Sequence, residues 1–331
     1  MTSAAKTLSV LLGASLLAAA SGSAASPDVM ALESKIPLGE VRGRIDHLAV
    51  DLGRHRLFVA ELGNGSLGVV DLDHGEPMRR IEGLREPQGV AYLPSTDVVY
   101  VASGGDGTLR RFKGADLAPL GTTELGDDAD NVRADPRAGR VVVGHGEGAL
   151  ALVDAASGET TGEVRLDGHP EAFQLEAGGS RAYVNVPGAR QVAVVDRDAG
   201  RQVTAWRLDG RDNYPMALDE AGGRLLVVGR SPPELLVLDT GSGRRVARLA
   251  TCGDADDVFL DVKRQRAYVS CGEGFLDVVQ RRGDAYESVA RVATAAGART
   301  ALFVPELDRL FLAVRASASE PAAVWVFRPA P

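Results

Sequence analysis

Residues 46–61 read "DHLAVDLGRHRLFVAE", and this stretch returns through the chain. It reappears as "DNVRADPRAGRVVVGH" at 130–145 and as "DDVFLDVKRQRAYVSC" at 256–271. Further copies are "EAFQLEAGGSRAYVNV" at 171–186 and "YPMALDEAGGRLLVVG" at 214–229. Weaker ones are "QGVAYLPSTDVVYVAS" at 88–103 and "RTALFVPELDRLFLAV" at 299–314. The sixth position falls at Asp51, Leu93, Asp135, Glu176, Asp219, Asp261 and Val304, with successive gaps of 42, 42, 41, 43, 42 and 43 residues. A period in this range marks a repeat architecture.

Each unit contains four short strand-like runs. Around 171–208 they are "EAFQLE", "RAYVNV", "RQVAVVD" and "QVTAWRL". The third and fourth runs of a unit meet at turn signals such as "AASGE" (155–159) and "TGSGR" (240–244), where glycine can take a positive φ. No helical period appears. Four antiparallel strands repeating every forty-odd residues are a β-propeller blade, so the expectation is an all-β, seven-bladed propeller. The last unit runs out after three strands, at "AVWVFRP" (323–329), and "IPLGEV" (36–41) precedes the first. The N-terminal run is therefore expected to complete the last blade and remove an open sheet edge.

Outward from the repeats, Lys6 is followed by "TLSVLLGASLLAAA" and then "SGSAAS". This reads as a secretory signal over 1–25, cleaved after Ala25, with one propeller domain over 26–331. The apolar run is too short for a membrane span, and no cysteine follows it to carry a lipid. The mature protein is expected to be soluble and periplasmic or secreted. The net charge of −8 across 331 residues excludes a nucleic-acid partner on electrostatic grounds.

The units "RLFVAELGNGSLGVVD" (56–71), "RAYVNVPGARQVAVVD" (181–196) and "RQRAYVSCGEGFLDVV" (264–279) resemble the YVTN-repeat propellers of the YncE-like family of exported bacterial proteins. The resemblance spans 36–329. It implies the propeller and an exported binding role, and carries no catalytic motif.

Five units place an acid at the end of the first strand and an arginine at the start of the second: Asp51/Arg56, Asp135/Arg140, Glu176/Arg181, Asp219/Arg224 and Asp261/Arg266. They are expected to pair across the hairpin as scaffold. The columns beginning at Leu48, Val132, Phe173, Met216 and Val258 read as packing between blades, and Trp206 and Trp325, in outer strands, as packing rather than stacking platforms.

Two acidic knots, "GDDAD" (126–130) and "GDADD" (253–257), fall at equivalent places in blades 3 and 6. The first position of each innermost strand forms a ring: Asp46, Gln88, Asp130, Glu171, Tyr214, Asp256 and Arg299. Beside it lie His47, Asn131, Asp257 and Thr300, and the second strands end at Glu61, Ser103, His145 and Cys271. All share one face with the loops between blades, so the two knots are opposite walls of one mouth. The order Asp256, Arg299, Asp46 reads as a chain of structural ion pairs. Asp130, Asn131, Glu171 and His145 are a candidate set for Ca²⁺ or Mg²⁺, although Arg133 can instead satisfy either acid, and each histidine can simply be hydrogen-bonded.

Cys252 and Cys271 both fall on the mouth side of blade 6. In an exported chain with two cysteines a disulfide is expected, since the spacing lacks the CxxC form of a redox pair. Three functions suit these features. The first is a ligand-binding propeller taking a cation, cationic small molecule or peptide. The second is a hydrolase, lactonase or lyase using metal or Asp/His chemistry in the same mouth. The third is a scaffold for an envelope protein.

Overall fold

The computed structural model describes residues 1, 2 and 29–331. The expected leader over 1–25, its cleavage point and the start of the domain at 26 lie, beyond Met1 and Thr2, outside the described residues. Those described form seven four-stranded antiparallel sheets, so the expected propeller is observed. Helix is confined to 3₁₀ turns such as Leu62–Asn64, Pro136–Ala138 and Pro187–Ala189. Among the described residues no helix is long and apolar enough to cross a membrane.

Blade 4 shows how the repeat makes its strands. Phe173–Leu175, Arg181–Val186, Gln191–Asp196 and Arg201–Arg207 follow in order from the centre outward. Its second and third strands are almost wholly buried, which suits their content of valine, alanine and tyrosine. Turns between third and fourth strands use glycine as expected, with φ of 78° at Gly158 and 71° at Gly243. In each, an aspartate two or more residues earlier accepts from the turn's backbone: Asp154 from Ser157 N–H, and Asp239 from Ser242 N–H.

The ring closes as expected, by a strand that starts earlier and ends two residues sooner than the expected run at 36–41. Met30–Gly39 pairs antiparallel with Ala322–Pro329 as the outer strand of blade 7. Ile36 faces Val324 and Leu32 faces Phe327 in that register. Leu48, Val132, Phe173, Met216 and Val258 are all buried, as packing between blades requires. Trp206 packs on Tyr183, with ring centres 5.5 Å apart, and Lys35 covers Trp325 at 4.0 Å.

The acid–arginine pairs need correcting. The backbone register does oppose Asp51 to Arg56, Asp135 to Arg140, Asp219 to Arg224 and Asp261 to Arg266. Direct ion pairs form only at Asp51–Arg56 (2.7 Å) and Asp135–Arg140 (3.0 Å). Elsewhere a long arginine reaches past its neighbour. Arg224 takes Asp284 and Asp239, and Arg266 takes Gln280 and the Ala330 carbonyl. The acids serve mainly to clamp blades together on the face opposite the mouth. Arg54 joins Asp51 to Asp97 of blade 2, and Arg197 of blade 4 grips Asp135 of blade 3. Arg264 joins Asp261 to Asp308 of blade 7.

Candidate functional site

The mouth is built where the chain passes from one blade to the next. Two residues before the first ring position the backbone turns left-handed, with φ of 51° at Glu86, 38° at Asp128, 59° at Asp212, 57° at Asp254 and 79° at Gly297. Aspartate tolerates this region better than most side chains. The carbonyls of Glu86, Asp128 and Asp254 then accept from Gly104, Gly146 and Gly272 N–H at 3.0, 3.3 and 2.8 Å. Each acidic knot is thus a turn that locks an inter-blade loop onto its own blade's hairpin. It also sets a second charged ring around the first, containing Arg44, Asp128, His169 and Asp254. Stepping the repeat alignment back two positions finds this outer ring.

At the wall of blades 5 to 7, arginines close the acids. Arg299 Nη1 donates to both oxygens of Asp254 at 2.8 and 3.0 Å, and its Nε lies 2.8 Å from Asp256 Oδ2. Arg230 donates to Asp256 Oδ1 and to the Ala255 carbonyl, and lies 3.2 Å from Asp254. Its guanidinium rests 4.1 Å over the Tyr214 ring. The expected chain through Asp46 is therefore redrawn. Arg299 spends its bonds on Asp254 and Asp256, while Asp46 accepts from Arg44 Nη2 at 2.7 Å. Arg230 escaped sequence reasoning because blade 5's second strand, Arg224–Ser231, runs past the length shared by the other blades.

The wall of blades 3 and 4 is different. Among the described residues no basic side chain lies within ion-pair distance of Asp130 or Glu171. Gln88 donates to Asp128 at 3.2 Å, and His169 Nδ1 sits 3.7 Å from Asp128 while bonding the Gly146 carbonyl at 2.6 Å. Burial pushes Asp130 well above the carboxylate range, and the charges of Asp46, Glu171, Asp128 and Asp256 add to that push. Glu171 is pushed up to about 7, chiefly by burial, with His169 and Arg230 pulling the other way. Asn131, 2% exposed, holds a side-chain oxygen with no hydrogen-bond partner.

His145 stands apart from these residues. Its Nε2 lies 3.7 Å from Glu163 on the blade's outer strand, and burial lowers its pKa. Among the described residues no three His, Cys, Asp or Glu side chains are gathered to hold a metal ion. The strand end that brings His145 to the mouth level also turns its ring outward.

Inside the mouth, a central cavity of about 430 Å³ runs down the first strands. His47 and Asp257 stand at its top, with His47 Nδ1 4.0 Å from Asp257 Oδ2. Burial, then the charge of Arg133, brings His47 down to about 4. Asp257 is raised well above its ordinary value by burial, although it accepts from Ala301 N–H at 2.8 Å. Arg133 lies in the cavity wall and does not neutralise Asp130 or Glu171. It donates to the Val132 carbonyl at 2.9 Å and hangs 5.6 Å over Phe173.

Cys252 and Cys271 form the expected disulfide, with Cα atoms 5.9 Å apart and both residues buried. It ties the start of the 253–257 knot to the end of the blade's second strand. Cys252 N–H also donates to Asp277 at 2.7 Å, which Arg291 holds with two bonds.

No protein-family model and no curated protein matches this chain. Solved structures do. One is hydrazine synthase of Kuenenia stuttgartiensis, at 15% identity over 82% of this chain and 94% of that chain, with a TM-score of 0.71. Another is a chain in the crystal structure of a mitotic checkpoint complex, at 12% identity over 97% and 98%, with a TM-score of 0.77. At such identities the likeness is one of fold alone: this chain is a seven-bladed β-propeller.

Proposed function

We propose that this chain is an exported ligand-binding propeller of the YVTN-repeat, YncE-like kind, whose mouth takes a cationic ligand on the wall formed by Asp130 and Glu171. The observation that carries the reading is the missing counter-charge. The opposite wall closes its acids with two arginines, whereas Asp130 and Glu171 have none and are held toward their protonated forms. A primary amine or guanidinium, on a small molecule or an exposed peptide side chain, supplies that partner and displaces protons as it binds. A buried disulfide supports an oxidising compartment, periplasmic or extracellular.

The test is calorimetric titration of the mature protein with spermidine, arginine methyl ester, Ca²⁺ and Mg²⁺, in two buffers of different ionisation enthalpy. The expected result is saturable binding of an organic cation with net proton release, lost in Asp130→Asn/Glu171→Gln. Binding of Ca²⁺ or Mg²⁺ alone moves the reading to a divalent-cation site. No binding of any cation removes the reading and leaves the rim as a docking face for an envelope protein.

A second reading rests on Glu171 itself. A carboxyl titrating at about 7 in a partly buried mouth can give and take protons at neutral pH. That supports a hydrolase, lactonase or lyase. Turnover of a lactone panel that follows Glu171 ionisation, and disappears in Glu171→Gln, is the expected signature; no turnover excludes it.

A further inference from the structure

We propose that the central cavity below the mouth is a separate binding site for a small monocarboxylate with a hydrocarbon body, whose carboxylate sits on Arg133. The argument begins with what Arg133 lacks. Among the described residues no carboxylate lies within ion-pair distance of its guanidinium, and its one hydrogen bond goes to the carbonyl of the preceding residue. The arginines clamping blades together, Arg54, Arg197 and Arg264, each hold at least one carboxylate. Arg133 instead faces a cavity of about 430 Å³, within the range that small-molecule sites occupy.

The surrounding blades leave room for a ligand there. At the level of Arg133, blades 1, 2 and 5 present only Ala49, Ala91 and Ala217. Below that level the lining turns apolar, with Val50, Leu218 and Leu260. Above it stand His47 and Asp257. A carboxylate at Arg133 gains charge-assisted, forked hydrogen bonds to a cation on which Asp257 and Asp130 act only through space, without an ion-pair contact. Asp257, held toward its protonated form by burial, can donate to the same carboxylate. A hydrocarbon body then fills the lower cavity and leaves water.

The mouth restricts which anions qualify. Asp46, Asp256 and Glu171 crowd the mouth end above the cavity, and every added negative charge on a ligand raises its repulsion from them. A monoanion is therefore favoured over phosphate or a nucleotide, for which the lower cavity is mostly apolar and its Tyr92 hydroxyl is already committed to Asp97 at 2.8 Å. This site is independent of the cation wall. The two use different side chains and opposite charge, so either can fail while the other stands.

One hydrocarbon tail with three heads tests it. Octanoate, octanol and octylamine are titrated calorimetrically into the full mature chain with its disulfide intact. Octanoate is expected to bind saturably and at least about tenfold more tightly than octanol. Arg133→Gln, folded by circular dichroism, is expected to lose that advantage, and Arg133→Lys to keep part of it. Asp130→Asn/Glu171→Gln, which removes negative charge near the cavity, should leave octanoate binding as tight or tighter and weaken octylamine. Octanoate binding no better than octanol overturns the proposal on the wild-type chain alone, whether or not Arg133→Gln folds. Unchanged octanoate binding in folded Arg133→Gln, or equal competition by inorganic phosphate, overturns it as well.

Discussion

The two walls of the mouth start from the same motif and end in opposite electrostatic states. Asp128 and Asp254 both sit two residues before the ring with left-handed φ, and Asp130 and Asp256 hold equivalent places, just before the strand Val132–Asp135 and at the start of Ala255–Asp261. The difference comes from two equivalent positions on the flanking blades. Beyond the 253–257 knot the next blade offers Arg299, and the blade before it offers Arg230. Beyond the 126–130 knot those same places hold Glu171 and Gly104. One wall is thereby an internally satisfied cluster, and the other is a pair of carboxyls with no basic side chain within ion-pair distance among the described residues. In a propeller the chemistry of a repeat is decided by its neighbours as much as by its own residues.

Breaking the satisfied wall should give the largest effect. Arg230→Met/Arg299→Met leaves the largely buried Asp256 without partners and frees the half-exposed Asp254 as well, and should cost about 3–5 kcal/mol, nearly all of it at Asp256. Urea unfolding of the disulfide-intact protein measures it. Asp130→Asn, at the matching place on the open wall, should cost nothing or stabilise slightly. Equal losses at both walls would mean that they do not differ as described. Next in size is Cys252→Ser/Cys271→Ser. The bridge closes a loop of 19 residues' separation, and removing it should lower stability by about 3 kcal/mol in the chain-entropy model. The loss should be accompanied by loosened protection of the 253–257 amides in hydrogen exchange, with the 126–130 amides unchanged.

Much of this was legible before any coordinates. The period gave seven blades, the truncated last unit implied closure by the N-terminal run at 36–41, and the two cysteines fell on one side of one blade. The first ring could be placed because a repeat alignment carries position directly into space. What could not be read was partner choice among long side chains. Arg299 and Asp46 are adjacent in the ring, yet Arg299 turns to Asp254, since a guanidinium selects whichever carboxylates lie within its reach across a loop. Two of the hairpin pairs failed for the same reason: Arg224 and Arg266 stand opposite their acids in register and still bond elsewhere. His145 reached the expected level but not the expected direction, because alternation along a strand decides which way a side chain faces.

A smaller effect separates the walls by pH. Glu171 has its folded value raised from 4.5 to about 7. Its contribution to stability is therefore fully present below pH 4.5 and is lost as pH rises through about 7. Glu171→Gln removes that loss. Its stability relative to wild type should be unchanged at low pH, grow across this window, and level off above it, by on the order of 1–2 kcal/mol after allowance for partial exposure. His47, lowered from 6.5 to about 4, loses stability in the opposite direction as pH falls. It is present in both proteins and cancels in the difference. A flat difference between pH 5 and 8 would mean that Glu171 is not held toward its protonated form.

The smallest expected change in stability is the most searching, because it converts one wall into the other. Glu171→Arg puts at blade 4 the residue that blade 7 presents to its neighbour, within the same relation to Asp128 and Asp130 that Arg299 has to Asp254 and Asp256. Burial keeps Asp130 high only while nothing positive faces it, so its carboxyl should titrate lower in the variant, visible by carbon NMR of labelled aspartate. Stability should rise by about 1 kcal/mol at neutral pH, since a like charge is replaced by an opposite one beside buried acids. Spermidine binding should vanish with it. Gly104→Arg is the harder half of the conversion: a Cβ there would meet the Gln88 amide and come within 3.0 Å of Asp128 Oδ1. Both neighbours are ends of flexible side chains and can give way, so the double variant should approach the closed wall of blades 5 to 7. If Glu171→Arg instead destabilises the protein and Asp130 stays high, the walls differ by backbone setting rather than by two side chains, and the missing counter-charge no longer explains the open one.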